Sequence, residues 1–358
     1  LTTDLQDSAV LLSPVEPPAT QVEPVVAAPK KPWKVWLKRV LILSVLVAVG
    51  WQFTKLYNDW SDQSESIWQR GVSWSWVGAS TAAFMVGQIF FALHWRQILI
   101  GGKYHAPLFS TVRAYCVGTL GKYIPGKAFV LVLRTGLMPQ SQGRRFEIGM
   151  AVTYETFAAM GGAGALGAVA FFLFPAPLPI YTMTALGIAV GLHVAMLPRV
   201  FEKLSKLVSV PFGQKGKVVS VAGWHPTALR WSPLLLLAWM GSGLSLWALT
   251  QALAMQPLNG SATDPMNVLF IVGTASFGTA AGFLILFLPA GLGAREGLLA
   301  ALLTFCFGES ADILIVVLIL RTVWTLGEVA LAGIFYLMPG IGWAGAVAAR
   351  RLAAGADN

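Results

Sequence analysis

Eight ionisable side chains sit in stretches of this sequence that are otherwise apolar: Lys122, Lys127, Arg134, Glu155, Arg295, Glu296, Arg321 and Glu328. A charge at the centre of a bilayer costs at least about 2.5–3.5 kcal/mol on insertion scales, so such groups face a protein interior or a water-filled cavity. Five of the eight are cations. Lys and Arg both hold phosphate, Arg through bidentate geometry. The cationic excess predicts an anionic ligand, a phospholipid headgroup or a lipid-linked phosphate. The three carboxylates would balance the cations or contact an amino headgroup.

Each residue also has a plainer reading. Arg134, like Arg113, can snorkel to a surface. Lys122 and Lys127 flank Pro125-Gly126, where the tip of a broken helix lies deepest and snorkelling is hardest. Glu155 lies about two turns into its apolar stretch and either answers Lys122 or Lys127 or is a simple counter-ion. Arg295 and Glu296 are adjacent, so they do not face each other on a helix and each needs another partner. Arg321 and Glu328 share a helix face roughly 10 Å apart along the axis. Ion pairing and ligand contact are both open to them.

The elements that position these residues follow from apolar run length. A helix needs roughly 20 residues to cross about 30 Å of hydrocarbon. Runs of that length occur at 40–57, 74–99, 147–174, 178–198, 232–253 and 313–338, which predicts six spans. Two further apolar regions are broken, 106–140 by Pro125 and Gly126 and 266–307 by Pro289, Gly291 and Gly293. Pro removes a backbone donor and Gly weakens a helix. Each region is expected to form a re-entrant helical hairpin, with a single kinked helix as the alternative. Helix N-termini after Pro125-Gly126 and near Gly293 would add dipole and free N–H groups for an anion.

Charge placement favours hairpins. With six spans and two hairpins, the basic clusters at 30–39, 96–145, 199–230 and 350–351 all fall on one side. That side is then cytoplasmic by the positive-inside rule. The two broken regions also align without gaps at an offset of 164, which pairs Gly118, Leu120 and Pro125 with Gly282, Leu284 and Pro289. Three spans separate the hairpins, an odd number, so they enter from opposite faces. The predicted fold is an all-α polytopic membrane protein with an inverted-topology repeat and a site near the midplane.

Composition agrees. The chain is 56% hydrophobic and 11% charged, against about 25% charged in soluble domains. Its net charge of +9 lies beside or within apolar stretches, so membrane orientation explains it and nucleic acid is not expected. Cys116 and Cys306 are too few for a disulfide framework or a Cys-based zinc site. The GxGxxG at 162–167 lies inside a span with no preceding strand, so it reads as helix packing, as does Gly187-x3-Gly191. Residues 199–210 predict an interfacial helix with Val200, Phe201, Leu204, Leu207 and Val208 on its apolar face and Lys203 and Lys206 off it. Residues 1–29 carry Asp4, Asp7, Glu16 and Glu23 with five prolines, which predicts a disordered cytoplasmic tail. The membrane domain is expected at 30–345 and a cytoplasmic C-terminal tail at 346–358.

Gly121-Lys122-Tyr123-Ile124-Pro125-Gly126-Lys127, followed by Arg134, resembles a signature of the lysylphosphatidylglycerol synthase transmembrane family. So does Pro289-Ala290-Gly291-Leu292-Gly293-Ala294-Arg295-Glu296-Gly297. Glu155 falls where that family places an acidic residue after its first hairpin, and the resemblance covers about 35–340. It implies lipid flipping in a bacterial cytoplasmic membrane, with both termini cytoplasmic. Only eighteen residues follow Gly340, so the soluble synthase domain of the bifunctional members is not expected.

The leading expectation is therefore a non-enzymatic lipid flippase, passive or ion-coupled, with no ATP motif, cofactor or metal. Its partners would be an anionic or zwitterionic phospholipid or a polyprenyl-phosphate-linked glycolipid, and a homodimer is compatible with it. The alternatives are an intramembrane enzyme acting on a lipid phosphate, with Glu155 or Glu296 as base, and a lipid-binding subunit without transport.

Overall fold

The computed structural model describes residues 71–123, 128–138, 144–176, 178–209, 218–284, 293–309 and 311–338. All of them belong to one compact unit. The expected span at 40–57 and the tails at 1–29 and 346–358 lie outside the described residues. So do Pro125, Gly126, Lys127, Pro289 and Gly291.

Among the described residues the elements are helices: α1 (Trp74–Gly101), α2 (Leu108–Thr119) with a 3-10 turn (Leu120–Tyr123), α3 (Ala128–Leu137), α4 (Arg145–Leu173), α5 (Pro179–Met196), α6 (Pro198–Ser209), α7 (Trp224–Arg230), α8 (Ser232–Ala252), α9 (Pro265–Leu284), α10 (Ala294–Phe307) and α11 (Ala311–Leu337). Pro179 and Pro233 sit in the first turns of α5 and α8, where a missing N–H leaves no bond unmade. Six helices, α1, α4, α5, α8, α9 and α11, are long and apolar enough to cross a membrane. The chain is an all-α polytopic membrane protein. Five of the six match expected spans. The sixth, α9, was expected only as a hairpin arm, but no proline interrupts 266–284 and the helix runs 20 residues.

Contacts at the helix ends define two faces. Ser73 N donates to Ala252 O at 3.0 Å, so α1 starts where α8 ends. Tyr104, just past α1, donates to Glu147 in the first turn of α4 at 2.6 Å. Tyr154 donates to Met196 O at 3.2 Å, which places the end of α5 beside the start of α4. One face thus gathers the ends of α1 and α5, the starts of α4 and α8, and α6 and α7. Lys103, Arg144, Arg145, Arg199, Lys203, Lys206 and Arg230 all lie there. The opposite face carries Asp264, Glu309 and Asp312, and no Lys or Arg among the described residues.

The hairpins enter from these opposite faces. Phe109, at the start of α2, lies 5.9 Å by ring centroids from Phe335, at the end of α11 on the basic face. Arg96 near the end of α1 holds Ala106 O at 2.9 Å. The second hairpin both enters and leaves at the acidic face. There Cys306 Sγ lies 3.8 Å from Asn267 Oδ1, and Leu258 N donates to Cys306 O at 2.8 Å. Its arms are unequal: α9 is long enough to span, whereas the 14 residues of α10 reach roughly 21 Å.

The packing repeats in the same inverted sense. In each hairpin the two arms pack together, α2 on α3 and α9 on α10. The second arm packs on the helix that follows it, α3 on α4 and α10 on α11. The first arm packs on the helix after the other hairpin, α2 on α11 and α9 on α4. α1 packs on α2 as α8 packs on α9. α1 and α8 cross at Gly87 and Gly241, where a Cβ on Gly241 would lie 2.7 Å from Ala83 O and 2.9 Å from Gly87 Cα. Only glycine permits that approach.

Small residues elsewhere are used unevenly. Within the GxGxxG of α4, a Cβ on Gly164 would meet Ala185 O of α5 at 2.8 Å, and one on Gly167 would meet Phe277 Cβ of α9 at 2.8 Å. That motif packs helices, as expected. Gly187 and Gly191 do not, because both are exposed and a Cβ on either would meet nothing within 4 Å. On α6, Phe201 is fully buried, 5.0 Å from the Tyr154 ring and 6.3 Å from that of Trp224, so this residue of the expected membrane-facing side packs on protein, while Val200 and Leu204 are partly exposed. Lys203 and Lys206 remain exposed.

Candidate functional site

Described residues flanking the break of each hairpin converge on the middle of α11. Lys122 lies in the 3-10 turn that ends the first arm. Its Nζ pairs with Glu328 Oε1 at 2.5 Å, and Tyr123 OH donates to Glu328 Oε2 at 2.8 Å. Both oxygens of that buried carboxylate are engaged. Tyr123 OH also reaches Thr325 Oγ1 at 3.2 Å, one turn along α11.

Arg134 lies on the second arm. Its guanidinium sits 3.7 Å above the Tyr115 ring. Nη1 donates to Glu155 Oε2 at 3.0 Å and Nη2 to Thr119 Oγ1 at 3.2 Å. The two side chains of this ion pair are 6% and 3% exposed, so Arg134 does not snorkel. It is drawn inward because a carboxylate and an aromatic face compensate its charge better than a long reach to the surface would.

The second hairpin builds a matching cluster. Glu296 Oε2 accepts from Gly293 N at 2.8 Å and so caps α10 at its own N-terminus. Glu296 Oε1 accepts from Arg295 Nη2 at 3.1 Å and pairs with Arg321 of α11. This corrects one expectation. Adjacent Arg295 and Glu296 do touch, because Glu296 folds back to cap and the long Arg side chain curls to it. The same carboxylate takes up the Gly293 N–H at the start of α10, where free N–H groups for an anion were expected. Gly293, at φ 85°, supplies the turn that permits the cap.

Glycines of the repeat pack against these side chains, although the arginines themselves are three residues out of the repeat's register. Gly118 and Gly282, aligned at the 164-residue offset, each lie under an arginine of the opposing arm. A Cβ on Gly118 would lie 3.1 Å from Arg134 N, and one on Gly282 would lie 2.9 Å from Arg295 Cβ. Both arginines then stack on aromatic rings, Arg134 on Tyr115 and Arg295 at 5.2 Å from Trp324.

Between the clusters lies a cavity of about 390 Å³, bordered by Lys122, Arg134, Glu155, Arg295, Arg321 and Glu328. Six of the eight expected site residues therefore share one space. Glu296 stands just behind the wall and Lys127 lies outside the described residues. Glu155 answers Arg134, whereas its expected partners were Lys122 or Lys127. Arg321 and Glu328 diverge, one to each hairpin. The rest of the wall is largely apolar and aromatic, with Phe91, Phe157 and Trp239 prominent.

Sequence reasoning missed Tyr115, Tyr123, Gln88 and Trp239 in this wall. Gln88 carried a usable signal as a lone amide in the apolar run of α1. Tyr115 did not, since any aromatic in an apolar helix looks like lipid-facing surface. Among the described residues no cluster of three or more His, Cys, Asp or Glu could hold a metal ion. Comparison of the sequence with protein-family models and with curated proteins gives no match.

Proposed function

We propose that this protein moves a phosphate-bearing lipid between membrane leaflets, with the headgroup passing through the charged cavity. The observation that carries the reading is the meeting, in one space of about 390 Å³, of four cations from two oppositely inserted hairpins and α11. The site's charges are drawn from elements that open toward opposite faces, as alternating access needs. Its aromatic wall suits a lipid more than a soluble ion. The motifs at 121–127 and 289–297 give independent support through their likeness to the lysylphosphatidylglycerol synthase transmembrane family.

In this mechanism α11 is the shared post. Glu328 latches the first hairpin through Lys122 and Tyr123, and Arg321 latches the second through Glu296. A phosphate entering from the basic face competes with Glu328 for Lys122 and loosens the first latch. The basic face is read as cytoplasmic by the positive-inside rule. Transport is passive or ion-coupled, and the membrane potential acts on it at about 2.3 kcal/mol per charge per 100 mV.

The test is reconstitution into vesicles with fluorescent phospholipids and an impermeant quencher of outer-leaflet label. Protein-dependent loss of inner-leaflet label for at least one phospholipid is the expected result. No such loss across anionic, zwitterionic and cationic headgroups would overturn the reading.

A further inference from the structure

We infer that two tryptophans gate the cavity, Trp324 toward the acidic face and Trp239 toward the basic face. The inference adds gating residues to the route proposed above and rests on that reading only for what passes through them.

The frame comes first. α1 and α8 meet backbone to backbone at Gly87 and Gly241, so the two helices form a fixed spine. α4 and α11 each pack on both helices of that spine. Gln88, at the middle of α1, borders the cavity.

Two phenylalanines stand on either side of Gln88. Phe84 lies ten residues from the acidic-face end of α1 and Phe91 ten from its basic-face end. They are seven residues apart, so they share a helix face, and both border the cavity. Each meets a tryptophan. The Trp324 ring of α11 stacks on Phe84, with 4.9 Å between centroids and 11° between planes. The Trp239 ring of α8 meets Phe91 edge-on at 5.0 Å. All four side chains are buried.

Each indole N–H then fastens one long helix to the spine. Trp324 Nε1 donates to Ser245 Oγ of α8 at 3.0 Å, and that oxygen shares a 2.8 Å bond with Ser80 Oγ of α1. Trp239 Nε1 donates to Ala159 O of α4 at 2.9 Å. Ser245 lies seven residues from the acidic-face end of α8, and Trp239 seven from its basic-face end. α11 is thus clasped on the acidic side of the cavity and α4 on the basic side, inverted as the hairpins are. Each clasp is one aromatic pair and one neutral hydrogen bond, bulky enough to block a headgroup and weak enough to open. Arg295, 5.2 Å from the Trp324 ring, ties the acidic-side closure to the second hairpin. Withdrawal of that hairpin removes the cation from the ring face.

The experiment uses the full chain with Cys116 and Cys306 replaced by alanine and Gln88→Cys as the single reporter, in sealed vesicles probed with an impermeant maleimide from each side. Lys203→Cys and Thr263→Cys mark the basic and acidic faces. Ser245→Ala and Trp324→Phe keep the ring stack and unmake the indole bond. Each should speed reporter labelling from the acidic face by about tenfold, the effect of one lost buried hydrogen bond, and leave the basic-face rate unchanged. Trp239→Phe and Phe91→Leu should do the reverse. Faster labelling from both faces in every variant would mean lost packing and overturn the inference, as would rates that no variant changes. Sided labelling without lipid movement in the same vesicles would overturn the transport reading and uphold the gates. Lipid movement without sided labelling would uphold transport and overturn the gates.

Discussion

Arg134 and Glu155 are worth little to the fold as a pair and a great deal as single residues. Desolvation offsets most of their attraction, but removing one partner strands a buried charge at a cost of about 3–5 kcal/mol. Glu155→Ala should therefore lower the unfolding midpoint in detergent sharply, and Arg134→Met with Glu155→Leu should restore most of it. A double variant as unstable as the single one would show that the pair's role is not electrostatic. Lys122 differs, because its side chain is 35% exposed. Lys122→Met should lower the rate of lipid movement by at least about tenfold, equivalent to about 1.4 kcal/mol, with a smaller loss of stability than Glu155→Ala. At this scale the sequence identified the ions, since charge in apolar runs is conspicuous. It could not pair them. Arg134 finds Glu155 only because α3 folds back against α4, and that return depends on the hairpin.

Helix contacts divide the glycines by use, which identical spacing in the sequence conceals. Gly87 and Gly241 meet backbone to backbone where α1 crosses α8, and neither helix can shift without moving the bundle. Gly241→Val should cost at least about 1–3 kcal/mol by overpacking, read as a lowered unfolding midpoint. Gly187→Val on α5 meets open space and should stay within about 0.5 kcal/mol of the parent. The reverse ranking would refute the crossing described here. Helix extent was legible because apolar run length measures it directly. The length of α9 was not, because the sequence marks Pro289 as a break without saying how far the helix before it runs.

Across the whole molecule, the two hairpins give opposite faces opposite chemistry. Single cysteines at Lys203 and Thr263 should react with an impermeant maleimide from opposite sides of sealed vesicles. Leu108→Cys should follow Lys203→Cys, and Leu258→Cys should follow Thr263→Cys. Native Cys116 and Cys306 are buried and should stay silent. Labelling of the Leu108 and Leu258 variants from one side would break the inverted arrangement.

The apolar runs, the two proline-glycine breaks and the one-sided basic clusters were enough to determine the class of protein, its hairpins and their opposite entry. Each follows from a local energy, the cost of placing polar backbone or charge in hydrocarbon, which a sequence states residue by residue. Tertiary structure alone decided that Arg321 and Glu328 serve different hairpins, that Glu296 caps Gly293 at the start of α10, and that six charges border one cavity. Those outcomes depend on which helix faces meet, and a face is defined only once its neighbours are in place.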